Sequence, residues 1–398
     1  MYIRIIRGQN QIGGNIIEIR SQNTKIILDT GKELEEEIIE VPLVKGLFKD
    51  KADYDAVLIT HYHEDHIGLI NNILPDIPIY MGEKCYSIYK TVGEYLGNKS
   101  VEISNFLQSE KEFNIGDMRI KPILCDHSAF DSYMILIYCE NKKILYTGDF
   151  RASGRKSFSA LLNKLEKVDM LITEGTTISR ENFKSFSEKS LENKAVKIIS
   201  NNNSPVFVLT ASTNIDRIVT FYKAAINTNR LFLEDVYTAN ITTVAGNNIP
   251  NPKDFKNVRV FLTVPTEKNY SILNKYKDKK ISRKEISKRK FIMCIRSSME
   301  NYLEKLSKEI SFKGGILFYS MWKGYLENDG IKRFINFMKG KGVEIILLHT
   351  SGHADIKTID DLIEKTKPEY IIPVHTENAK WFEKYTDCKI IYDYQYNF

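Results

Sequence analysis

The chain has seven histidines in 398 residues, and three of them fall in one hexapeptide, His61-Tyr62-His63-Glu64-Asp65-His66. Residues 56–60, just before it, are apolar and read as a strand, so the hexapeptide forms the loop that follows. In a tight loop, residues i and i+2 can face one metal ion while i+4 and i+5 face a second. Imidazole nitrogen and carboxylate oxygen are the donors that a borderline cation such as zinc takes. Two such ions ~3.5–4 Å apart activate a shared water and stabilise developing negative charge. A pair of this kind needs a bridging carboxylate and at least one more histidine per ion. The fold must therefore deliver distant residues to one place, which strand ends on a rigid scaffold do.

The sequence offers those partners. Asp149 closes Tyr146-Thr147-Gly148-Asp149 at an expected strand end and suits the bridge. His127, in Cys125-Asp126-His127-Ser128, follows the expected strand Met118–Cys125, and His375 ends Ile372-Pro373-Val374-His375. A lone histidine at a strand end is ordinarily a hydrogen-bonded structural residue. Beside a hexapeptide that demands ligands, the metal reading of His127 and His375 is the stronger one. His349 has no assignable role and reads as structural.

At this length the chain should hold two domains. Its first 180 residues alternate short strands and turns, with a hairpin meander over Tyr2–Arg7, Ile16–Arg20 and Lys25–Leu28. From about residue 181 the pattern becomes strand then helix, with a helix expected over 183–199, a strand over 206–210 and a helix capped by Asn214. Residues 268–310 are Lys-rich and read as mostly helical. The expected layout is a β-rich host over 1–180, an α/β insertion over 181–340, and a return to the host over 341–398.

Composition narrows the setting. The chain is 42% hydrophobic and 27% charged, as a soluble globular protein is. It holds no apolar run of the ~18 residues a membrane span needs. The N-terminus reads as a strand rather than a signal peptide, and five scattered cysteines without a C-x-x-C fit a reducing, cytoplasmic location. Charge is uneven: residues 181–340 hold 28 Lys and Arg against 15 Asp and Glu, while the rest holds 29 against 36. A basic insertion points to an anionic partner. Residues 275–290 concentrate nine Lys and Arg, including Lys284, Lys288, Arg289 and Lys290, with Tyr276 free to pack or to stack on a base. A solvated helix face accounts for the same run equally well. The run Glu33, Glu35, Glu36 and Glu37 reads as a surface helix, and Trp322 with Gly324 as either a hinge or core packing.

Taken together and in order, these motifs resemble the metallo-β-lactamase fold, in its β-CASP nuclease family, with ribonuclease J as the nearest look. Ile27-Leu28-Asp29-Thr30-Gly31 resembles the first motif. His61, His63, Asp65 and His66 form the second, His127 the third and Asp149 the fourth. Glu174 in Thr173-Glu174-Gly175-Thr176, Ser351-Gly352-His353-Ala354, and Pro373-Val374-His375-Thr376-Glu377 look like the three β-CASP marks. The segment Ala211-Ser212-Thr213-Asn214-Ile215-Asp216-Arg217 resembles the start of the inserted domain. The last His is followed by Thr376 where the family commonly has Gly, and with about 20 residues left in this sequence the C-terminal domain of ribonuclease J is expected to be missing.

The resemblance implies an α/β protein, an αββα metallo-β-lactamase sandwich with an inserted α/β β-CASP domain. It implies two divalent ions, zinc before manganese, with His61, His63 and His127 on one, Asp65, His66 and His375 on the other, and Asp149 between. Asp29 is expected behind the ligands. Asp65, Glu174 and His353 are the expected catalytic residues, with His353 oriented by Glu174 and donating to a phosphate oxygen or the leaving group. Ser351 and the basic segment are the expected RNA contacts. The activity implied is hydrolysis of RNA, endo- or exonucleolytic, by a metal-activated water with a 5′-phosphate product. A homodimer is allowed but not required. The alternatives are a small-molecule hydrolase of the same host fold, a DNA nuclease, and a non-catalytic RNA-binding relative.

Overall fold

The computed structural model describes residues 1–34, 40–180 and 185–398. Glu35, Glu36 and Glu37, and the first two residues of the helix expected over 183–199, lie outside the described residues. The chain forms two compact units, Met1–Ser185 with Gly352–Phe398, and Phe186–Ser351.

The first unit holds two seven-stranded sheets. One runs, in spatial order, Gln395–Asn397, Tyr2–Arg7, Ile16–Arg20, Lys25–Leu28, Ala56–Leu58, Ile79–Gly82 and Asn105–Leu107. The other runs Lys389–Ile390, Tyr370–Val374, Met170–Glu174, Lys142–Tyr146, Ser132–Cys139, Met118–Cys125 and Phe113–Ile115. Strand Ser132–Cys139 shows why they stack. Its run Ser-Tyr-Met-Ile-Leu-Ile-Tyr-Cys has almost no polar face, so it must be covered on both sides. Ile135 and Ile137 point into the layer between the sheets, against Ile17, Ile19, Ile26 and Leu28. Met134 and Leu136 point the other way, onto Leu161 of helix Phe158–Lys164 and Ile359, Leu362 and Ile363 of helix Ile356–Thr366. Helix Glu83–Leu96 packs on the first sheet, completing a helix–sheet–sheet–helix sandwich.

Strand direction sets where chemistry can occur. Lys25–Leu28 and Ala56–Leu58 are parallel, as are Lys142–Tyr146, Met170–Glu174 and Tyr370–Val374. Met118–Cys125 reaches Lys142–Tyr146 through two antiparallel pairings, so it too points the same way. The residues after these strands therefore collect at one end of their sheets: Asp29, His61, His127, Asp149, Glu174 and His375.

The second unit is a six-stranded parallel sheet in the order Val258–Phe261, Leu231–Asp235, Phe291–Ile295, Val206–Leu209, Ile316–Tyr319, Glu344–Leu347. Helices cover both faces. Leu191, Ile218 and Phe221 pack on Val206, Val208 and Phe318 from one side, while Leu303, Phe334 and Met338 pack on Phe207, Leu317 and Tyr319 from the other. Several expectations are corrected here. Residues 268–310 hold five short helical segments as expected, but Phe291–Ile295 among them is a fully buried strand near the sheet centre. Its five apolar residues have no period, and its basic neighbours disguised it. Glu344–Leu347 pairs with Ile316–Tyr319, so the sheet of this unit continues past residue 340. Tyr276 is buried, its hydroxyl donating to the Ala239 carbonyl at 3.1 Å, and is not free to stack. Trp322 is 51% exposed and so is not core packing.

Asn214 caps helix Ile215–Asn227, its side chain accepting from the Arg217 amide. From the first turn of that helix Arg217 reaches a fully buried position, with Nη2 3.0 Å from Oε1 of Glu188. Thr220 Oγ1 donates to the other Glu188 oxygen at 2.6 Å, and Arg217 Nη1 donates to the Ser320 carbonyl at 3.0 Å. A charge buried this deeply is tolerated because it is paired. Glu188→Ala should therefore destabilise the fold by about 3–5 kcal/mol, and Glu188→Leu with Arg217→Met should recover most of the loss. Urea unfolding followed by circular dichroism checks this; an unchanged midpoint for Glu188→Ala would contradict the role of the pair.

Candidate metal centre

Long stretches of backbone separate most of these motifs, yet their donor atoms converge. His61, His63, His127 and Asp149 present donor atoms within 4.8 Å of one another, and so do Asp65, His66, Asp149 and His375. A third set, Asp149, Glu174, His353 and His375, meets the same limit. Asp149 is the one residue in all three. Its Oδ2 lies 3.8 Å from Nε2 of His61 and of His127, and 3.7 Å from Nε2 of His375; its Oδ1 lies 3.3 Å from Nε2 of His66. His375 Nε2 is also 3.0 Å from Asp65 Oδ2.

Local backbone places these groups. Gly148 has φ +50°, and a Cβ there would come within 2.9 Å of the Thr60 side chain, so only glycine lets the Asp149 loop lie against the strand that carries His61. Asp29 and His375 themselves adopt φ +58° and +51°. For residues other than glycine that conformation costs roughly 1–2 kcal/mol each, and such strain collects where side chains must be aimed.

The outer nitrogens of the rings are held from behind. His66 Nδ1 is 2.7 Å from Asp29 Oδ2. Thr60 donates from Oγ1 to Asp29 at 2.9 Å and sits 3.0 Å from His61 Nδ1, so Asp29 orients two rings, one directly and one through a hydroxyl. Tyr146 donates to the same carboxylate at 2.8 Å. His127 Nδ1 faces the Gly352 carbonyl at 2.6 Å and must carry the proton there. His375 Nδ1 lies 2.8 Å from Thr176 Oγ1, which donates to Glu174 Oε2 at 2.6 Å. With outer nitrogens engaged, the inner ones present lone pairs to the centre.

That arrangement answers whether a cation fits. His61 Nε2, His66 Nε2 and both oxygens of Asp149 are buried and make no hydrogen bond among the described residues. His127 Nε2 and His63 Nδ1 face each other at 3.0 Å. Buried lone pairs directed at one another are unfavourable unless something positive lies among them. The donors are nitrogen and oxygen only, a set suited to a divalent ion such as zinc.

The charge states of three rings agree with this. Burial pushes His61 and His127 well below 6.5, helped by neighbouring rings, and lowers His63 to about 4, so these imidazoles are neutral as ligands must be. Burial alone would raise the Asp149 carboxyl, but His375, His66 and His353 around it hold it well below its ordinary value. His66 rises instead, since Asp149 and Asp29 outweigh its burial. His353 Nδ1 lies 3.1 Å from Glu174 Oε2 and 3.5 Å from Asp149 Oδ2. Burial opposes its protonation, but the two carboxylates outweigh burial and raise it to about 9.

The structure thus brings together His61, His63, Asp65, His66, His127, Asp149, Glu174, His353 and His375. His349 belongs to the second unit, with Nδ1 3.4 Å from Arg217 Nη1. There too, Ser351 is buried, whereas Lys284, Lys288, Arg289 and Lys290 are all exposed. Sequence reasoning passed over Thr60, Tyr146 and Thr176. Each lies within two residues of a motif residue or at a strand end, yet a hydroxyl carries no chemistry on its face, and only the fold shows which carboxylate it meets. No helix among the described residues is long and apolar enough to cross a membrane, and all five cysteines are free.

Known proteins share this organisation. Residues 10–189 match the metallo-beta-lactamase superfamily, and residues 343–387 match the Zn-dependent metallo-hydrolase RNA specificity domain. Ribonuclease J of Sinorhizobium meliloti is 24% identical over 371 residues, covering 88% of this chain and 62% of that protein. Ribonuclease J of Mycoplasma genitalium is 26% identical over 407 residues, covering 93% and 67%. The chain thus spans about two thirds of the length of these relatives, and less of the first. A crystal structure described as a protein of unknown function from Enterococcus faecalis V583 superposes with a TM-score of 0.81 at 20% identity, covering 98% of this chain and 97% of that one. These motifs, this fold and these matches support a β-CASP, ribonuclease J-like protein with a metallo-β-lactamase domain.

Proposed function

We propose that the chain is a metal-dependent ribonuclease that hydrolyses RNA phosphodiester bonds and leaves 5′-phosphate ends. The sharing of Asp149 between two donor groups carries this reading, because it is what a paired-ion phosphodiesterase needs. One ion would be held by His61, His63, His127 and Asp149, the other by Asp65, His66, His375 and Asp149, with zinc expected before manganese. Bound there, the pair would lower the pKa of a shared water toward neutrality and offset charge developing on the phosphate.

The chain's own groups do the rest. Asp65, its Oδ2 3.0 Å from His375 Nε2, would accept a hydrogen bond from the attacking water and orient it. His353 has a side chain 22% exposed, so a substrate can reach it, and the carboxylates beside it keep it protonated. It would donate to a phosphate oxygen or to the departing 3′-oxygen, with Glu174 fixing the ring. RNA as the polymer is supported by the match over 343–387, which contains both His353 and His375, and by the names of the relatives. The basic run of the second unit supports a polyanionic substrate.

Purified protein should carry about two ions, and Asp149→Asn should lose at least one, since an amide is a neutral and poorer ligand. Elemental analysis reads this, and no bound metal in active protein would overturn the reading. RNA labelled at either end should yield fragments that retain a 5′-phosphate at the new end, whereas intact RNA after incubation with metal-loaded protein would refute the activity.

Changing Lys284, Lys288, Arg289 and Lys290 together to Ser should flatten the dependence of log affinity on log salt by roughly 0.7 per lost single-strand contact. Binding isotherms at several salt concentrations measure this. Parallel slopes for variant and wild type would return the segment to ordinary solvated surface.

A further inference from the structure

His127 differs from the other rings of the centre in what holds it. A carboxylate backs His66 directly and His61 through Thr60, but His127 leans on the main-chain carbonyl of Gly352. Its aim therefore depends on where its own backbone is fixed. The residue before it, Asp126, is buried, and its carboxylate turns toward the loop after Asp149. Arg151, fully buried, donates from Nε to Asp126 Oδ1 at 2.6 Å and from its amide to the Asp126 carbonyl at 2.8 Å. The Lys156 amide donates to Asp126 Oδ2 at 2.7 Å. Gly154 passes so close that a Cβ there would collide with Oδ1. Residues 151–156 are thus wrapped around one carboxylate.

We propose that Asp126 and Arg151 form an ionic clamp that locks the His127 loop to the Asp149 loop and so sets the metal affinity of the group formed by His61, His63, His127 and Asp149. Both are positioning residues. Asp126 immediately precedes His127 and Arg151 follows Asp149 by two residues, so the clamp ties together two chain segments that each carry a donor. It ties nothing in the other group except Asp149 itself. Burial makes the clamp stiff, since neither charge can leave its partner for water. The proposal rests on the two-ion reading above.

The test is stepwise removal of zinc from the full-length protein by a chromophoric chelator, resolving the two dissociation steps. Wild type must first show two steps; if it binds no ion, the two-ion reading fails, and the clamp with it. Given two steps, Asp126→Asn and Arg151→Met should each weaken one of them about 10–100-fold, the range seen when groups behind metal ligands are altered, and leave the other near its wild-type value. Arg151→Lys keeps the charge but loses the Nε donor, and Gly154→Ala displaces the carboxylate without touching either charge. Both should weaken the same step, and they carry the test if the first two variants do not fold. Two unchanged steps in variants that fold would overturn the clamp while leaving the two-ion reading intact. Equal weakening of both steps would overturn it too, by showing a general loss of structure rather than a local one.

Discussion

A single buried carboxylate governs this centre. Asp149 is almost fully inaccessible, makes no hydrogen bond among the described residues, and has the inner nitrogens of His61, His66, His127 and His375 within 4 Å. An isolated charge in such a place is costly. It is supportable here because rings from separate strand ends surround it and because the site as a whole is built to receive positive charge. Move Asp149, and both donor groups lose a member at once. The sandwich, with parallel strands ending at one edge, is the means by which residues as distant in sequence as His61 and His375 are brought alongside it.

Around that centre the structure adds carboxylates that hold the rings in place. Asp29 gathers bonds from His66, Thr60 and Tyr146, and Glu174 gathers them from Thr176, His353 and the Phe150 amide at 3.0 Å. Each carboxylate thereby fixes two imidazoles, one directly and one through a threonine hydroxyl: His66 and His61 for Asp29, His353 and His375 for Glu174. The repetition has a physical reason. Behind a ring that is to bind a cation, such as His61 or His375, an acceptor keeps the proton on the outer nitrogen and leaves the inner lone pair free, whereas behind His353 the Glu174 carboxylate favours the protonated ring.

Much of this was legible in the sequence, for reasons that differ by residue. His61, His63, Asp65 and His66 announce themselves because four donor side chains within six residues serve no ordinary packing purpose, and His127, Asp149 and His375 follow from the need to complete them. The strands of the first unit were legible where the chain alternates or runs apolar between turns, as at Ile16–Arg20 and Met118–Cys125. Strand Phe291–Ile295 was not, since a short apolar run buried on both faces has no period and lay in Lys-rich surroundings. Thr60, Thr176 and Arg151 were not legible either, because their importance lies in which buried carboxylate they meet across the fold. The same holds for Tyr276, whose place in a basic segment suggested stacking but whose hydroxyl is spent inside the second unit.

The account turns on Asp149 lying between two ions rather than beside one. Diffraction from crystals of metal-loaded protein, collected on both sides of the zinc absorption edge, tests that most directly. The account predicts two anomalous peaks flanking Asp149, one among His61, His63 and His127 and the other among Asp65, His66 and His375. A single peak, or peaks away from this carboxylate, would contradict it.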